Sequence, residues 1–290
     1  MNRILLRRIV CAVDLSDRSA PSLNRALQLA RLHGGELFVV HVTNAGLAST
    51  ESAKRSVTDA FFALRRLTDG DPHPTVPVRW IMAHGDPAIE LARFIRRTDA
   101  DLAIVGGALP RPSTGVVGTV AHAILRTTGC PVLVIPRTLD DSAPPKPYRE
   151  ILCGVSSGLS AATLRYALSF AQEFESRLTI LNVEELDRAH RADDGWVRSD
   201  IERLRTEIPD SARDWSVIDE RVTSGDPTQE VVKVAQQLGT DLVVVGSTAA
   251  PRSGGGLGSV ALGALTFTNA SVLIVPTSEV AREIDASMAA

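Results

Sequence analysis

The sequence predicts an α/β fold: two tandem doubly wound domains, each built on a five-stranded parallel sheet. Three observations lead there. Short apolar runs alternate with helical periodicity along the chain, which is the pattern of strand–helix–strand units. Several runs, such as DLAIVGG from Asp101 and PVLVIP from Pro131, are apolar at successive positions, so their sheet needs helices on both faces. And the whole pattern is written twice.

The elements of the first half follow in order. Residues 9–14 form a short apolar run closed by a turn signal, too short for a helix. Residues 19–33 carry the i, i+3, i+4, i+7 stripe of a helix. Residues 36–43, rich in Val and Phe, read as the second strand, 50–68 as a helix and 76–82 as the third strand. Residues 87–97 read as a helix with Asp86 as its N-cap and Pro87 in its first turn. A fourth strand over 101–105, a short helix over 118–128 and a last strand over 132–135 complete the unit. Crossovers between such strands are right-handed.

The repeat is direct. Gly85-Asp86-Pro87 returns as Gly225-Asp226-Pro227, and DLAIVGG at Asp101 as DLVVVGS at Asp241, both shifted by 140 residues. Gly118-Thr119 returns as Gly258-Ser259, and PVLVIP as SVLIVP from Ser271. Upstream the shift grows to 142, where Cys11 meets Cys153; small deletions in connecting loops account for the drift. A period this long is a duplicated domain, not a solenoid unit of about 20–50 residues. The expected division is a first domain over 1–138, a linker over 139–148 and a second domain over 149–290. The linker lies within a proline-rich, charged stretch containing Pro144-Pro145.

Composition narrows the function. The 290 residues are 44% hydrophobic and 22% charged, with a net charge of −3. That is an ordinary globular balance, with no pull toward nucleic acid or a membrane surface. No apolar run nears the roughly 20 residues of a membrane span, and the arginine-interrupted start does not read as a signal peptide. A cytoplasmic protein is the expectation. Cys11, Cys130 and Cys153 form no CxxC pair or metal spacing and read as small buried hydrophobes.

In a doubly wound sheet a ligand lies beyond the carboxyl ends of the strands, where strand order reverses. Two loops per half meet there: 14–19 with 106–118, and 156–160 with 246–258. GGALPRPSTGVV and GSTAAPRSGGGL each lead from a glycine after a strand to Gly-Thr or Gly-Ser opening a helix. The first amides of a helix lack internal partners and favour an anion. Thr119 or Ser259 would add a hydroxyl, and Arg111 or Arg252 a charge. The same Gly-Thr is also an ordinary helix start. No Walker loop, dinucleotide fingerprint or nucleophile elbow is present, and the six histidines have no triad or metal spacing.

At these residues the chain resembles the universal stress protein family in its tandem two-domain form. The resemblance rests on Val13-Asp14-Leu15-Ser16, His41-Val42, the Gly-Asp-Pro turns, the DLxVVG strands, and LGSVA at 257–261 followed by VLIVP. It implies a Rossmann-like, adenine nucleotide α-hydrolase-like fold. It also implies a stress-response protein that binds an adenine nucleotide, ATP with Mg, as a regulator rather than an enzyme. The implied binding positions are Asp14, Val42, Gly106, Gly118, Thr119 and Val120 in the first half. In the second they are Val183, Gly246, Gly258, Ser259 and Val260. In the family the last strand makes the dimer contact, so 133–135 and 273–275 would pair the halves as an intrachain pseudo-dimer, with a further homodimer open.

The sequence departs from the family at three points. The phosphate loop's second glycine is Leu109 or Ala249, each loop is one residue short, and Ser156 stands for the acid. Three readings therefore stand: a nucleotide-binding regulator, a scaffold that has lost nucleotide binding and works through protein contacts, and an enzyme of the wider group. Asp14 itself reads either as a ligand-binding acid or as the cap of the following helix.

Overall fold

In the computed structural model, the described residues are 4–16, 19–43, 58–62, 64–65, 76–107, 119–136, 145–155, 161–184, 201–202, 205–206, 208–214, 216–247 and 257–276. The chain forms two compact units, Leu5–Lys146 and Pro147–Ala290, the latter also taking in Met1–Ile4.

The first unit contains β1 (Arg8–Ala12), α1 (Ala20–His33), β2 (Glu36–Thr43), β3 (Val78–His84), α2 (Pro87–Thr98), β4 (Leu102–Gly106), α3 (Thr119–Thr128) and β5 (Val132–Ile135). Its strands are parallel throughout, in the order β3-β2-β1-β4-β5. The order reverses between β1 and β4. The second unit contains β6 (Glu150–Val155), α4 (Ala161–Phe174), β7 (Arg177–Glu184), β8 (Ile218–Ser224), α5 (Pro227–Leu238), β9 (Leu242–Ser247), α6 (Ser259–Phe267) and β10 (Ser271–Pro276). Its order, β8-β7-β6-β9-β10, again all parallel, reverses between β6 and β9. The doubly wound prediction therefore holds in both units.

Burial follows the apolar runs. Ile9, Val10 and Cys11 of β1 and Leu242, Val243, Val244 and Val245 of β9 are buried in succession, so both faces of each sheet are covered. Burial pushes the Cys11 and Cys153 thiols up to about 12. Burial, with the Asp101 charge behind it, raises Cys130 further. All three are free and inert packing residues.

The Gly-Asp-Pro turns act as the sequence predicts. Asp86 Oδ1 accepts from Ala88 N and Ile89 N at 2.9 and 3.0 Å, and Asp226 Oδ1 from Gln229 N at 2.8 Å. Gly85 at φ +140° and Gly225 at φ +148° make the bend, a conformation open to glycine. The third strand lies at 78–84 and not at 76–82. It is an edge strand with alternating burial, so its apolar pattern marks its ends poorly, and its ladder runs on to Thr43↔His84. The helix expected over 50–68 is described at 58–62 and 64–65, all helical; the rest of that span lies outside the described residues.

One pin recurs that the sequence did not announce. Asp101 Oδ2 accepts from Arg7 N and Arg8 N, both at 2.8 Å. Asp241 Oδ2 accepts from Arg149 N and Glu150 N at 2.7 and 3.0 Å. Each aspartate, just before β4 or β9, gathers two backbone amides at the start of the neighbouring inner strand. The register of the two strands that flank the switch point is thereby fixed. A second matched feature lies on the outer strands. Arg79 pairs with Glu36, and at the same register positions Arg177 pairs with Asp219 at 3.4 Å.

Candidate functional site at the strand ends

In the first unit, β1 ends at Ala12 and β4 at Gly106, and their pairing runs as far as Cys11↔Ile104. Val13 N still donates to Val40 O at 3.0 Å, one step past the end of β1. His41 Nδ1 lies 2.9 Å from Val13 O; a carbonyl only accepts, so Nδ1 carries the proton. Asp14 follows, exposed. Its Oδ1 accepts from Ser16 N at 3.0 Å, Ser16 Oγ at 2.6 Å and Ser19 Oγ at 2.7 Å. Its own amide donates to Ser19 Oγ at 3.0 Å. Leu15 takes φ +60° inside this turn. Asp14 therefore closes an Asx turn. It does not cap α1, whose N-cap is Ser19, without a side-chain cap bond.

Gly106 is exposed at the end of β4. Among the described residues, a Cβ there would meet only Ser22 Oγ, at 3.5 Å, an ordinary contact. Packing does not demand glycine at 106. Beside it, Gly107 N donates to Ile135 O at 2.7 Å. Val42 is half-buried near the end of β2, and Val120 is half-buried in the first turn of α3. The backbone of Thr119 opens α3. Gly118, Leu109 and Arg111 lie outside the described residues.

In the second unit Val183 is buried near the end of β7 and Gly246 is half-buried in β9. Their neighbours differ from those of the first unit. Where β2 has His41 and Thr43, β7 has Asn182 and Glu184, both buried. Asn182 Nδ2 donates to Glu184 Oε1 at 3.2 Å. Gly258 is the N-cap of α6 at φ +86°, and Ser259 is exposed with Val260 half-buried behind it. The first amides of α6 are those an anion would meet. Ser156, Ala249 and Arg252 lie outside the described residues. Among the described residues, no group of three or more His, Cys, Asp or Glu could hold a metal ion. No helix there is long and apolar enough to cross a membrane.

The strand order in each unit is thus that of the doubly wound fold the sequence predicts. The sequence profile of the Universal stress protein family matches residues 6–136 and again 147–276. The chain belongs to the universal stress protein family. Its tandem form is visible in that double match. A universal stress protein of Bacillus subtilis is 25% identical over 150 residues, 45% of this chain and 99% of the relative. One from Methanocaldococcus jannaschii is 25% identical over 146 residues, 45% and 82% respectively. Among solved structures, a universal stress protein from Archaeoglobus fulgidus aligns over 94% of this chain and 99% of its own, with a TM-score of 0.70 and 16% identity. A Pseudomonas aeruginosa protein described as functionally unknown aligns over 98% of both chains, with a TM-score of 0.69 and 17% identity. At that identity the solved structures speak for the fold.

Nothing in the sequence signals the bonds that Ser19 and His41 make around Asp14 and Val13. Ser19 stood in the turn quoted for Asp14. His41 stood in the family's His-Val pair, with no sign that it reaches Val13.

Proposed function

We propose that the first half binds an adenine nucleotide, ATP foremost, in the crevice between β1 and β4, and that the chain acts as a non-enzymatic stress-response regulator in the cytoplasm. One observation carries this reading: Asp14, two residues past the end of β1, and Gly106, the last residue of β4, stand at the switch point, and among the described residues a Cβ at Gly106 would meet only Ser22 Oγ, so packing there does not call for glycine. The ATP phosphates would lie toward Gly106 and the α3 N-terminus, with Gly118, Thr119 and Val120. The adenosine would lie toward Asp14 and Val42. Mg would arrive with the phosphates, since Asp14 is the one acid this reading places there. In the second half Val183, Gly246, Gly258, Ser259 and Val260 would form the corresponding site. The intrachain pairing of the halves and a further homodimer belong to the same proposal, and light scattering on the full chain reads the latter.

The test is calorimetric titration of nucleotide-stripped protein with ATP and Mg. One site per chain, lost in Gly106→Val with the melting temperature unchanged, supports the reading. Ligand at 100 times its dissociation constant should add about 2.7 kcal/mol of stability; no heat and no stabilisation sink it. A specific observation favours the scaffold reading as the second: Asp14 Oδ1 is already committed to three donors of its own turn. In that case Asp14→Ala loosens the turn and changes no ligand affinity.

A further inference from the structure

We propose that His41 is a positioning residue for Asp14 in the first crevice, a role that rests on the nucleotide reading of that crevice. β1 ends at Ala12, so Val13 and Asp14 lie beyond its regular ladder. Two bonds hold Val13: its amide to Val40 O at 3.0 Å and its carbonyl to His41 Nδ1 at 2.9 Å. The peptide between Val13 and Asp14 is therefore fixed from its carbonyl side by His41. From its amide side it is fixed by Ser19 Oγ, which accepts from Asp14 N at 3.0 Å and returns a bond to Asp14 Oδ1 at 2.7 Å. A peptide plane held at both ends has no freedom to rotate, so the carboxylate that follows it is aimed before any ligand arrives. His41 is buried, and among the described residues its hydrogen bond toward Asp14 is the one to Val13 O.

The imidazole tautomer follows from the same contact. With Nδ1–H given to Val13 O, the donor is present whether or not Nε2 is protonated. At the matching register of the second half stands Asn182, in the half where Ser156 replaces the acid.

The experiment compares ATP titrations and backbone amide exchange in wild type, His41→Leu, His41→Asn and His41→Gln, alone and in Asp14→Ala. Asparagine places its amide nitrogen where Nδ1 stood; glutamine places it farther out. We expect His41→Leu and His41→Gln to weaken ATP at least tenfold and to speed exchange of the Asp14 and Ser16 amides at least tenfold. His41→Asn should stay within threefold on both readouts. In the Asp14→Ala background, His41→Leu should add less than twofold. Binding by His41→Leu within twofold of wild type overturns the role while leaving the nucleotide reading intact. So does an equal loss with Asp14 removed. Wild type that binds no ATP overturns that reading and the role with it. Should His41→Leu fail to fold, the asparagine–glutamine pair makes the same comparison.

Discussion

Removing the Asp101 carboxylate should unpin β1 from β4, and its size follows from two bonds. Asp101 Oδ2 accepts from Arg7 N and Arg8 N at 2.8 Å each. A hydrogen bond to a charged group contributes about 1.5–3 kcal/mol. Both amides lie near the surface and can turn to water, so the lower value applies to each. Asp101→Ala should then lose about 3 kcal/mol, and Asp101→Asn, which keeps an oxygen but not its charge, about half of that. With a urea slope of about 2 kcal/mol/M, the alanine variant shifts the midpoint by about 1.5 M. Trp80 is the sole tryptophan of the first half. With Trp196 and Trp215 changed to Phe, its fluorescence reports that half alone. Asp241→Ala should leave the Trp80 transition in place. A midpoint shift below about 0.3 M in Asp101→Ala would refute the argument, because it would mean the two amides exchange carboxylate for water without loss.

Two further predictions concern stability. Among the described residues, Thr163 Oγ1 and Thr179 Oγ1 are buried without a hydrogen-bond partner; Thr163→Val and Thr179→Val should each stabilise by about 1 kcal/mol in urea unfolding, since the hydroxyl's burial cost disappears at nearly constant volume. The Cys11 and Cys153 thiols, raised from 9.0 to about 12, stay protonated in the folded chain while the unfolded chain ionises. Their contribution is therefore full below pH 9 and is lost as pH rises from 9 toward 12, by about 1.4 kcal/mol per pH unit for each thiol. Iodoacetamide at pH 8 should label neither in native protein and both in urea.

What the sequence revealed, it revealed through local chemistry. Gly85-Asp86-Pro87 could be read as bend, cap and first turn because each residue acts on atoms within three positions of itself. The strand–helix alternation was legible for the same reason. Asp101 was not, since its partners stand 94 and 93 residues away. A strand-leading aspartate looks like any turn residue until the register of β1 against β4 is known. Asp14 was half legible: its turn with Ser16 is local, whereas the pin behind it, from His41 to Val13, spans 28 positions. The anion-ready helix starts at Thr119 and Ser259 were legible in the loops themselves, whereas Val42 and Val183 came from resemblance alone, because valine announces no chemistry of its own.

The duplication lets each half serve as a control for the other. At the amino ends of the strands the halves agree in function even where they differ in residue. Glu36–Arg79 becomes Arg177–Asp219, its charges exchanged and its ion pair kept. Asp101 and Asp241 gather the same two amides. An exposed ion pair contributes little on its own, so the exchange shows what pairing requires: complementarity, with either order of sign. At the carboxyl ends the residues change and their partners change with them. His41, Thr43 and His84 give way to Asn182, Glu184 and Ser224, which places a buried carboxylate where a hydroxyl stood. The Thr43–His84 hydrogen bond of the first half gives way to one between Asn182 and Glu184 in the second. The two halves have stayed matched where the sheet is held together and differ at the carboxyl ends of their strands, so on the proposed nucleotide reading a ligand fitted to one half should be a poor fit to the other.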